Sequence, residues 1–291
     1  MNADDFGLTS GVNRAIVELS RRGNLTSATL MAMTKASPDA VSLVRKLTRL
    51  GVGCHIVLVD GKSVLPPSEL PTLVNRATGR FRSTLGKFVR DLFLGRIRPA
   101  EIEIEAEAQI ARLQAWGLSI THVDTHKHTH MFPGVLGPVL AAAAKRRIRA
   151  IRNPFEPSWS LAATSDTPAL RRTQVHILNR FQPAFRRLVD EVGLVTTDGA
   201  IGVLATGTLD TATLASLLRA MPDGTWELVT HPGYHDADLA SAGTRLLTSR
   251  EVEYKTLLST TFPPEIELIQ FSDLAFFNNS TNTTQHPESQ P

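Results

Sequence analysis

Short apolar runs alternate with amphipathic stretches along the chain, which has 291 residues. Such alternation is typical of repeated β-α units built around a parallel sheet. The strands that it predicts are residues 25–33, 52–59, 120–124, 149–152, 226–230 and 266–271. Apolar residues at helical spacing predict helices over residues 12–22, 38–47, 101–116 and 135–147.

This pattern predicts one α/β domain, a distorted TIM-like (β/α) barrel over residues 1–277. An open doubly wound sheet is the alternative, because strand order is not visible in one sequence. The polar stretch 278–291 contains no aliphatic side chain and is expected to be a disordered tail. We expect the first strand to be truncated, or the natural start to lie upstream, because polar Asn2 stands where a barrel strand opens with apolar residues.

Composition narrows the class of protein. The content of 42% hydrophobic and 20% charged residues is ordinary for a globular protein, and no apolar run is long enough to cross a membrane. The one cysteine, Cys54, excludes an internal disulfide, and the N-terminus lacks the basic and then apolar pattern of a signal peptide. We therefore expect a cytoplasmic protein. A net charge of +3, without a phosphate-binding loop or interleaved aromatic and basic residues, argues against nucleic acid as a partner.

A run of histidines is the strongest sign of chemistry. With Asp124, the side chains of His122, His126, His128 and His130 occupy every even position from 122 to 130. In a strand they would share one face, but a strand that ends near Asp124 and continues as a loop fits the sequence better. Imidazole and carboxylate groups crowded at a strand end predict a site for a divalent transition metal. A polar, hydrogen-bonded loop is the alternative.

Other predicted strand ends carry side chains of the same kind. Asp4 and Asp5 are neighbouring carboxylates, which repel each other unless a cation or a proton separates them. His55 lies in an apolar strand, and His231 ends another apolar run just before a Pro-Gly pair. An Asx-turn at the two aspartates and a hydrogen-bonded core histidine at position 55 are the alternatives.

Together these residues predict a metal-dependent amidohydrolase. An Asp-His-His set can hold one divalent ion, which lowers the pKa of a bound water and polarises a carbonyl group. A further Asp can accept the water's proton, and a further His can protonate a leaving amine. Zn, Mg, Mn, Fe, Co and Ni are all compatible with these ligands. A metal phosphoesterase and a non-catalytic metal- or sugar-binding protein are the alternatives.

Four motifs of this chain resemble those of the YdjC/ChbG-type carbohydrate deacetylases. They are Asn-Ala-Asp-Asp-Phe-Gly at 2–7, Gly-x-His at 53–55, Asp-x-His-x-His-x-His-Met-x-Pro at 124–133 and His-Pro-Gly at 231–233. The resemblance implies a barrel-like fold and removal of N-acetyl groups from amino sugars with a divalent metal.

The resemblance also implies roles for single residues. Asp5, His55 and His126 would hold the metal. Asp4 would be the general base and His231 the general acid. His128 and His130 would contact the substrate or support the metal ligands from behind. For Arg152, at the end of a predicted strand, we expect a contact with a substrate hydroxyl, and pairing with an acidic residue is the alternative.

Two local features resemble the hopanoid-biosynthesis (HpnK-like) branch of that family. One is the Val-Leu-Pro-Pro sequence at 64–67 with the apolar and basic residues that follow it, and the other is Lys127 between two histidines. The resemblance implies an N-acetylglucosaminyl hopanoid, a sugar on a polycyclic lipid, as substrate. An N-acetylated oligosaccharide of the chitooligosaccharide type is the alternative.

The stretch from residue 85 to residue 98 predicts a basic amphipathic helix. Its apolar stripe consists of Leu85, Phe88, Val89, Leu92 and Phe93. Basic residues flank the stripe, namely Lys87, Arg90, Arg96 and Arg98. A helix of this kind can lie on an anionic membrane surface, so we expect reversible contact with the inner face of the membrane. The alternative is that the stripe packs on the barrel.

Overall fold

The computed structural model of the chain describes residues 1–164 and 169–274. Its strands are β1 (Asn2–Phe6), β2 (Ser27–Leu30), β3 (Gly51–Ile56), β4 (Ile120–Thr125), β5 (Gly199–Ile201) and β6 (Trp226–Thr230). All pairings between them are parallel, in the order β4-β3-β2-β1-β6-β5. The predicted tail, residues 278–291, lies outside the described residues.

Helices connect the strands and cover the sheet. They are α1 (Ser10–Arg22), α2 (Ser37–Val44), α3 (Leu85–Phe93), α4 (Pro99–Ala115), α5 (Pro133–Lys145), α6 (Ser158–Ala163), α7 (Ala169–Leu178), α8 (Gln182–Val192), α9 (Thr211–Ala220), α10 (Ala237–Ser241) and α11 (Thr248–Ser259). The four helices predicted by spacing correspond to α1, α2, α4 and α5. No helix in the described ranges is long and apolar enough to cross a bilayer.

The sheet curls into a half-barrel. From β4 the strand order descends to β1 and continues with β6 and β5, so it runs in one direction around the sheet, as in a barrel. In a doubly wound sheet the order would instead reverse near the middle. Beyond β4, the extended residues 149–152 contribute only isolated bridges, from Ile151 to Val123 and from Ala150 to Val195. The prediction of a single α/β domain with a parallel sheet is confirmed, whereas a complete TIM-like barrel is not formed by the described strands.

The strand predicted over residues 266–271 was wrong. Residues 266–270 have no regular structure and lead into a 3-10 turn, Phe271–Asp273. Of the apolar side chains that suggested a strand, Phe271 stacks on His122 of β4 at a centroid distance of 3.7 Å, and Ile269 packs in the same small cluster. Strand β1 consists of five residues, all of them buried, and pairs with both β2 and β6.

A long loop between β3 and α3 is tied down by polar side chains of α4. Glu105 accepts the backbone N–H groups of Val64 and Leu65 at 2.8 and 3.0 Å. One turn earlier, Glu101 accepts two further N–H groups of the loop, and one turn later Gln109 bonds both backbone groups of Val57. These bonds satisfy backbone groups that would otherwise be buried without partners. The acidic face of α4 therefore fixes the loop.

The amphipathic stretch after this loop is divided between core and surface. Helix α3 ends at Phe93 rather than continuing to residue 98, and Gly95 follows with φ of 65°. Phe88 is fully buried, so part of the stripe packs on the domain. Phe93 and Leu94 remain 63% and 57% exposed.

Replacing Gly53 by Ala is expected to destabilise the fold by about 1–3 kcal/mol, the usual cost of overpacking a core. A Cβ at this position of β3 would lie 2.5 Å from Cε1 of His122, whose ring is buried and stacked on Phe271. Urea unfolding at neutral pH measures the effect. Gly86→Ala is the control, because no atom lies within 4 Å of a Cβ there. If Gly53→Ala lowers the free energy of unfolding no more than Gly86→Ala does, the packing described is contradicted.

Candidate active site

Polar side chains from four strands meet at the carboxyl edge of the sheet. Asp4 and Asp5 come from β1, His55 from β3 and Asp124 from β4, and His231 directly follows β6. The side chains of all five are at most 10% exposed. Barrel-like α/β folds build their sites at this edge, where the loops that follow the strands come together. The structure thus brings together residues that are up to 227 positions apart in the sequence.

The backbone of β1 explains how two adjacent aspartates reach one site. Neighbouring residues in a regular strand point to opposite faces. Asp5 departs from the strand conformation with φ of 63°, and the register with β2 shifts between Ala3 and Phe6. Asp tolerates the left-handed region better than most residues, although at some cost in energy. The kink directs both carboxylates into the site.

Three atoms of Asp5, His55 and His126 converge on one point. Asp5 Oδ1 lies 3.5 Å from His55 Nε2 and 3.3 Å from His126 Nδ1, and the two ring nitrogens are 3.2 Å apart. Two ligands of one tetrahedral ion at normal bond lengths would lie about 3.4 Å apart. Asp5 Oδ1 is buried and accepts no hydrogen bond from the described residues. One carboxylate and two imidazoles in this arrangement fit a divalent transition metal.

The charges around His55 also favour a cation. Burial lowers the pKa of His55, but Asp124, with Asp4 and Asp5 adding to it, outweighs burial and raises the pKa to about 9. The same negative field that holds a proton on the imidazole attracts a metal ion, and the two compete for the ring nitrogen. Asp124 Oδ1 lies 2.8 Å from His55 Nδ1, so it orients the ring with Nε2 toward Asp5 and His126.

A second group of possible ligands is less suitable for a metal. Asp4, His55 and Asp124 also place one ligand atom each within 4.8 Å of one another. Both carboxylates, however, are paired with the guanidinium of Arg152, which is fully buried. A cation between these carboxylates would face that guanidinium at close range. The first group is therefore the better candidate for the metal centre.

Asp4 is held as an ionised carboxylate. Arg152 donates to both of its oxygens, at 2.6 and 2.9 Å, and Asn2 and Thr29 donate to Oδ1. Burial alone would raise the pKa of Asp4, but Arg152 and, beyond it, His55 and His231 hold that pKa well below its usual range. Asp4 Oδ2 lies 3.8 Å from Nε2 of His231. The negative charge needed to accept a proton is therefore present throughout the neutral pH range.

The loop that follows β4 forms one side of the site. It begins with His126, whose side chain is 20% exposed, and Lys127 and His128 adopt φ values of 58° and 52°. Lys127 pairs with Asp60, itself at φ of 58°, across 2.8 Å. Four of the five non-glycine residues with positive φ among those described thus lie at this site or beside it. Strained backbone of this kind is common at functional sites.

The structure places the other predicted residues around this centre. His128 is half-buried, with a buried Nδ1 that has no hydrogen-bond partner in the described part of the chain. His130 is fully buried, close to the Thr125 hydroxyl and the Arg152 carbonyl through its two ring nitrogens. His122 lies deeper, against Phe271, and belongs to the packing of the sheet.

Several residues of the site were not predicted from sequence. On α11, the fully buried Arg250 donates to Asp5 Oδ2, and Glu253 accepts the backbone N–H of His231. On β6, Glu227 takes two further donors of Arg152. A glutamate inside the apolar run of residues 226–230 was a visible signal for Glu227. The Arg and Glu of α11 have the spacing of an ordinary surface ion pair and gave no such signal.

The family described as YdjC-like protein matches residues 1–267 of this chain. The chain belongs to the YdjC-like family. Among curated relatives, a carbohydrate deacetylase of Brevibacillus brevis is 32% identical over 280 residues, which cover 94% of this chain and 98% of the relative. A carbohydrate deacetylase of Geobacillus stearothermophilus is 34% identical over 269 residues, 91% of each chain.

Two further comparisons concern part of the sequence and the fold. A chitooligosaccharide deacetylase of Salmonella paratyphi B is 40% identical over 154 residues, 52% of this YdjC-like chain and 57% of the relative. A crystal structure from Enterococcus faecalis V583 superposes with a TM-score of 0.71 and 24% identity, covering 89% of both chains. The latter likeness supports the fold described here.

Proposed function

We propose that this YdjC-like protein is a carbohydrate N-deacetylase that hydrolyses the acetamide of an N-acetylated amino sugar. The observation that carries the proposal is the convergence of Asp5, His55 and His126 beside the Asp4–His231 pair. Full-length relatives named as carbohydrate deacetylases support the reaction class. The alternative of a phosphoesterase with two metal ions has less support, since Arg152 occupies the second group of carboxylates.

Different residues of the chain carry out the separate steps of the proposed reaction. Asp5, His55 and His126 would hold one divalent metal, which when bound lowers the pKa of a water and polarises the acetamide carbonyl. Asp4 accepts a proton from the attacking water, whose oxygen bonds to the carbonyl carbon. His231 donates a proton to the sugar nitrogen as the carbon–nitrogen bond breaks, so that acetate and a free amine leave.

The buried residues around this set keep it in position. Arg152 and His130 have no exposed side-chain surface, so we assign them to the support of Asp4 and of the loop after β4 rather than to substrate contact. His128 and Lys127, by contrast, are only half-buried. We therefore propose His128 as the substrate contact among the predicted histidines.

The specific substrate that we propose is an N-acetylglucosaminyl hopanoid. The motif at residues 64–67, which suggested it, lies in the loop fixed by α4. Leu70 and Leu73 of this loop are fully buried, and its Asp60 pairs with Lys127. A chitooligosaccharide is the second candidate, favoured by the name of the Salmonella relative.

The substrate is tested by acetate release from a panel of N-acetylated compounds. The panel contains an N-acetylglucosaminyl hopanoid in mixed micelles, chitooligosaccharides and free N-acetylglucosamine. A kcat/KM at least tenfold higher for the hopanoid supports the lipid-linked substrate, and a preference for chitooligosaccharides contradicts it. No acetate from any compound would contradict the deacetylase proposal itself.

We also propose a cytoplasmic protein that binds the inner face of the membrane reversibly. Phe93 and Leu94 project at the end of α3, and the side chains of Arg90, Arg96 and Arg98 nearby are 60–70% exposed. Exposed apolar side chains with a basic surround match an anionic lipid surface. This face would bring a lipid-linked sugar to the site.

Replacing Phe93 and Leu94 together by Ser is expected to reduce co-sedimentation with anionic liposomes at low salt by at least fivefold. The measurement compares vesicles with and without anionic lipid. Val252→Ser is the control, because Val252 is 47% exposed on α11 and lies outside the patch. If the unaltered protein stays in the supernatant with anionic vesicles, the membrane contact is refuted.

A further inference from the structure

Helix α11 connects two parts of the site through its buried face. Arg250 and Glu253 lie three positions apart on it and are 0% and 1% exposed. Arg250 binds Asp5, whereas Glu253 faces His231. Because the pair points inward, neither residue serves as a surface charge. The inference drawn from it rests on the proposed function, in which His231 is the proton donor.

Backbone hydrogen bonds fix the His-Pro-Gly turn to this helix. Glu253 Oε2 accepts the N–H of His231 at 2.6 Å, and the carbonyl of Arg250 accepts the N–H of Gly233 at 3.2 Å. The other oxygen of Glu253 accepts the N–H of Gly207 at 3.2 Å. Both ends of the turn are therefore held by α11.

The imidazole of His231 lies between two carboxylates. Its Nε2 is 3.8 Å from Asp4 Oδ2, and its Nδ1 is 4.0 Å from Glu253 Oε2. Nδ1 is buried and has no hydrogen-bond partner within the described ranges. A buried donor or acceptor without a partner is costly, so a small rotation of the ring that brings Nδ1–H onto Glu253 would be favourable.

We propose that Glu253 is a positioning residue for His231. With Nδ1–H directed at the Glu253 carboxylate, Nε2 of the ring is directed toward the reacting centre. The positive ring is stabilised before it gives its Nε2 proton to the sugar nitrogen, and it is left neutral with its hydrogen on Nδ1. Glu253 itself neither gains nor loses a proton in this step.

Charged groups face His231 from three elements. Asp4 and Asp5 face it from β1, Arg250 and Glu253 from α11, and Arg152 from the segment after β4. Burial lowers the pKa of His231 to about 4, although the aspartates act in the opposite direction. Burial also raises the pKa of Glu253 to about 7. Burial thus disfavours the charged form of both groups, and a hydrogen bond between them would reduce that cost.

The test replaces Glu253 by Gln and compares the variant with Glu156→Gln. Both glutamates are buried and accept one backbone N–H on each oxygen, so each variant loses the same kind of hydrogen bond. In Glu253→Gln we expect kcat for acetate release to fall 10- to 100-fold, with KM changed less than twofold. Glu156→Gln should keep both kcat and KM within twofold of the unaltered protein.

A second measurement does not depend on activity. The imidazole nitrogens of His231 are followed by NMR in protein labelled with ¹⁵N-histidine, with His231→Gln used to assign the signal. Replacement of the Glu253 carboxylate should reduce the fraction of the Nδ1–H tautomer of the neutral ring. An unchanged tautomer, or a kcat within twofold of the unaltered protein, would overturn the proposal. If the unaltered protein releases no acetate, the proposed function fails, and the NMR result alone decides whether the two residues are paired.

Discussion

Replacing Asp4 by Asn is expected to lower kcat for acetate release by about 10²- to 10⁴-fold, the contribution of a positioned general base. The amide has nearly the same shape as the carboxylate but cannot accept the water's proton. The metal should still bind, because its proposed ligands, Asp5, His55 and His126, are unchanged. Acetate release and metal content measured on the same preparation test both expectations.

Asp5→Asn is the matched comparison at the neighbouring position. It is expected to lose bound metal and activity together, because it weakens a ligand rather than the base. A protein with Asp4→Asn that releases acetate at an unchanged rate would refute the role of Asp4. If the unaltered chain binds metal but hydrolyses none of the N-acetylated compounds tested, the non-catalytic alternative from the sequence gains support.

Replacing Arg152 by Met is expected to destabilise the protein by about 3–5 kcal/mol, the usual cost of removing one partner from a buried ion pair. Arg152 is fully buried and binds the carboxylates of Asp4, Asp124 and Glu227. Without the guanidinium, three buried carboxylates would lie close together, with only the His55 ring beside Asp124 to offset their charge. Urea unfolding at pH 8 measures the loss.

The loss of stability in Arg152→Met should become smaller as the pH falls. Burial raises the pKa of Asp4 and Asp124, but Arg152 and then His55 more than offset it and hold both pKa values below the ordinary range. Their stabilising effect is therefore present above the unfolded pKa of about 3.9 and is lost as the pH falls toward the folded values. In Arg152→Met the buried carboxylates are expected to take up protons more readily in the folded state. The difference between the two proteins should thus be smaller at pH 5 than at pH 8.

Arg187→Met is the control for this prediction. The Arg187 side chain is 70% exposed and lies 3.7 Å from Glu191 on the same helix. An exposed pair of this kind contributes at most about 1 kcal/mol. A loss for Arg152→Met no larger than that of the control would contradict the account of the buried array.

The sequence predicted those strands and helices in which the spacing of apolar residues within the element itself shows which positions are buried. Strand β6 matches the predicted residues 226–230, and the helices follow their apolar spacing within a few residues. The 266–271 run was mistaken for a strand because a short apolar segment is equally suited to packing across the end of a sheet. Residues 149–152 were predicted as a strand, but they contribute isolated bridges only.

The site was predictable where polar residues interrupt apolar strands. His55, Asp124 and His231 stand out in that way, and the structure brings them to one edge. The direction of each side chain was not predictable, since Asp5 joins Asp4 only through a backbone conformation that the sequence does not encode locally. Arg250 and Glu253 were missed because the inward direction of their charges depends on how α11 packs.

The most direct test of the account is the dependence of acetate release on the metal centre formed by Asp5, His55 and His126. Purified protein is assayed on the best substrate of the panel as isolated, after removal of metal with a chelator, and after return of each candidate divalent ion. His126→Ala, treated in the same way, is the reference. The account predicts one bound ion per chain, loss of acetate release on chelation and recovery with at least one metal, with no recovery in the variant. Acetate release that persists at full rate in metal-free protein would contradict it.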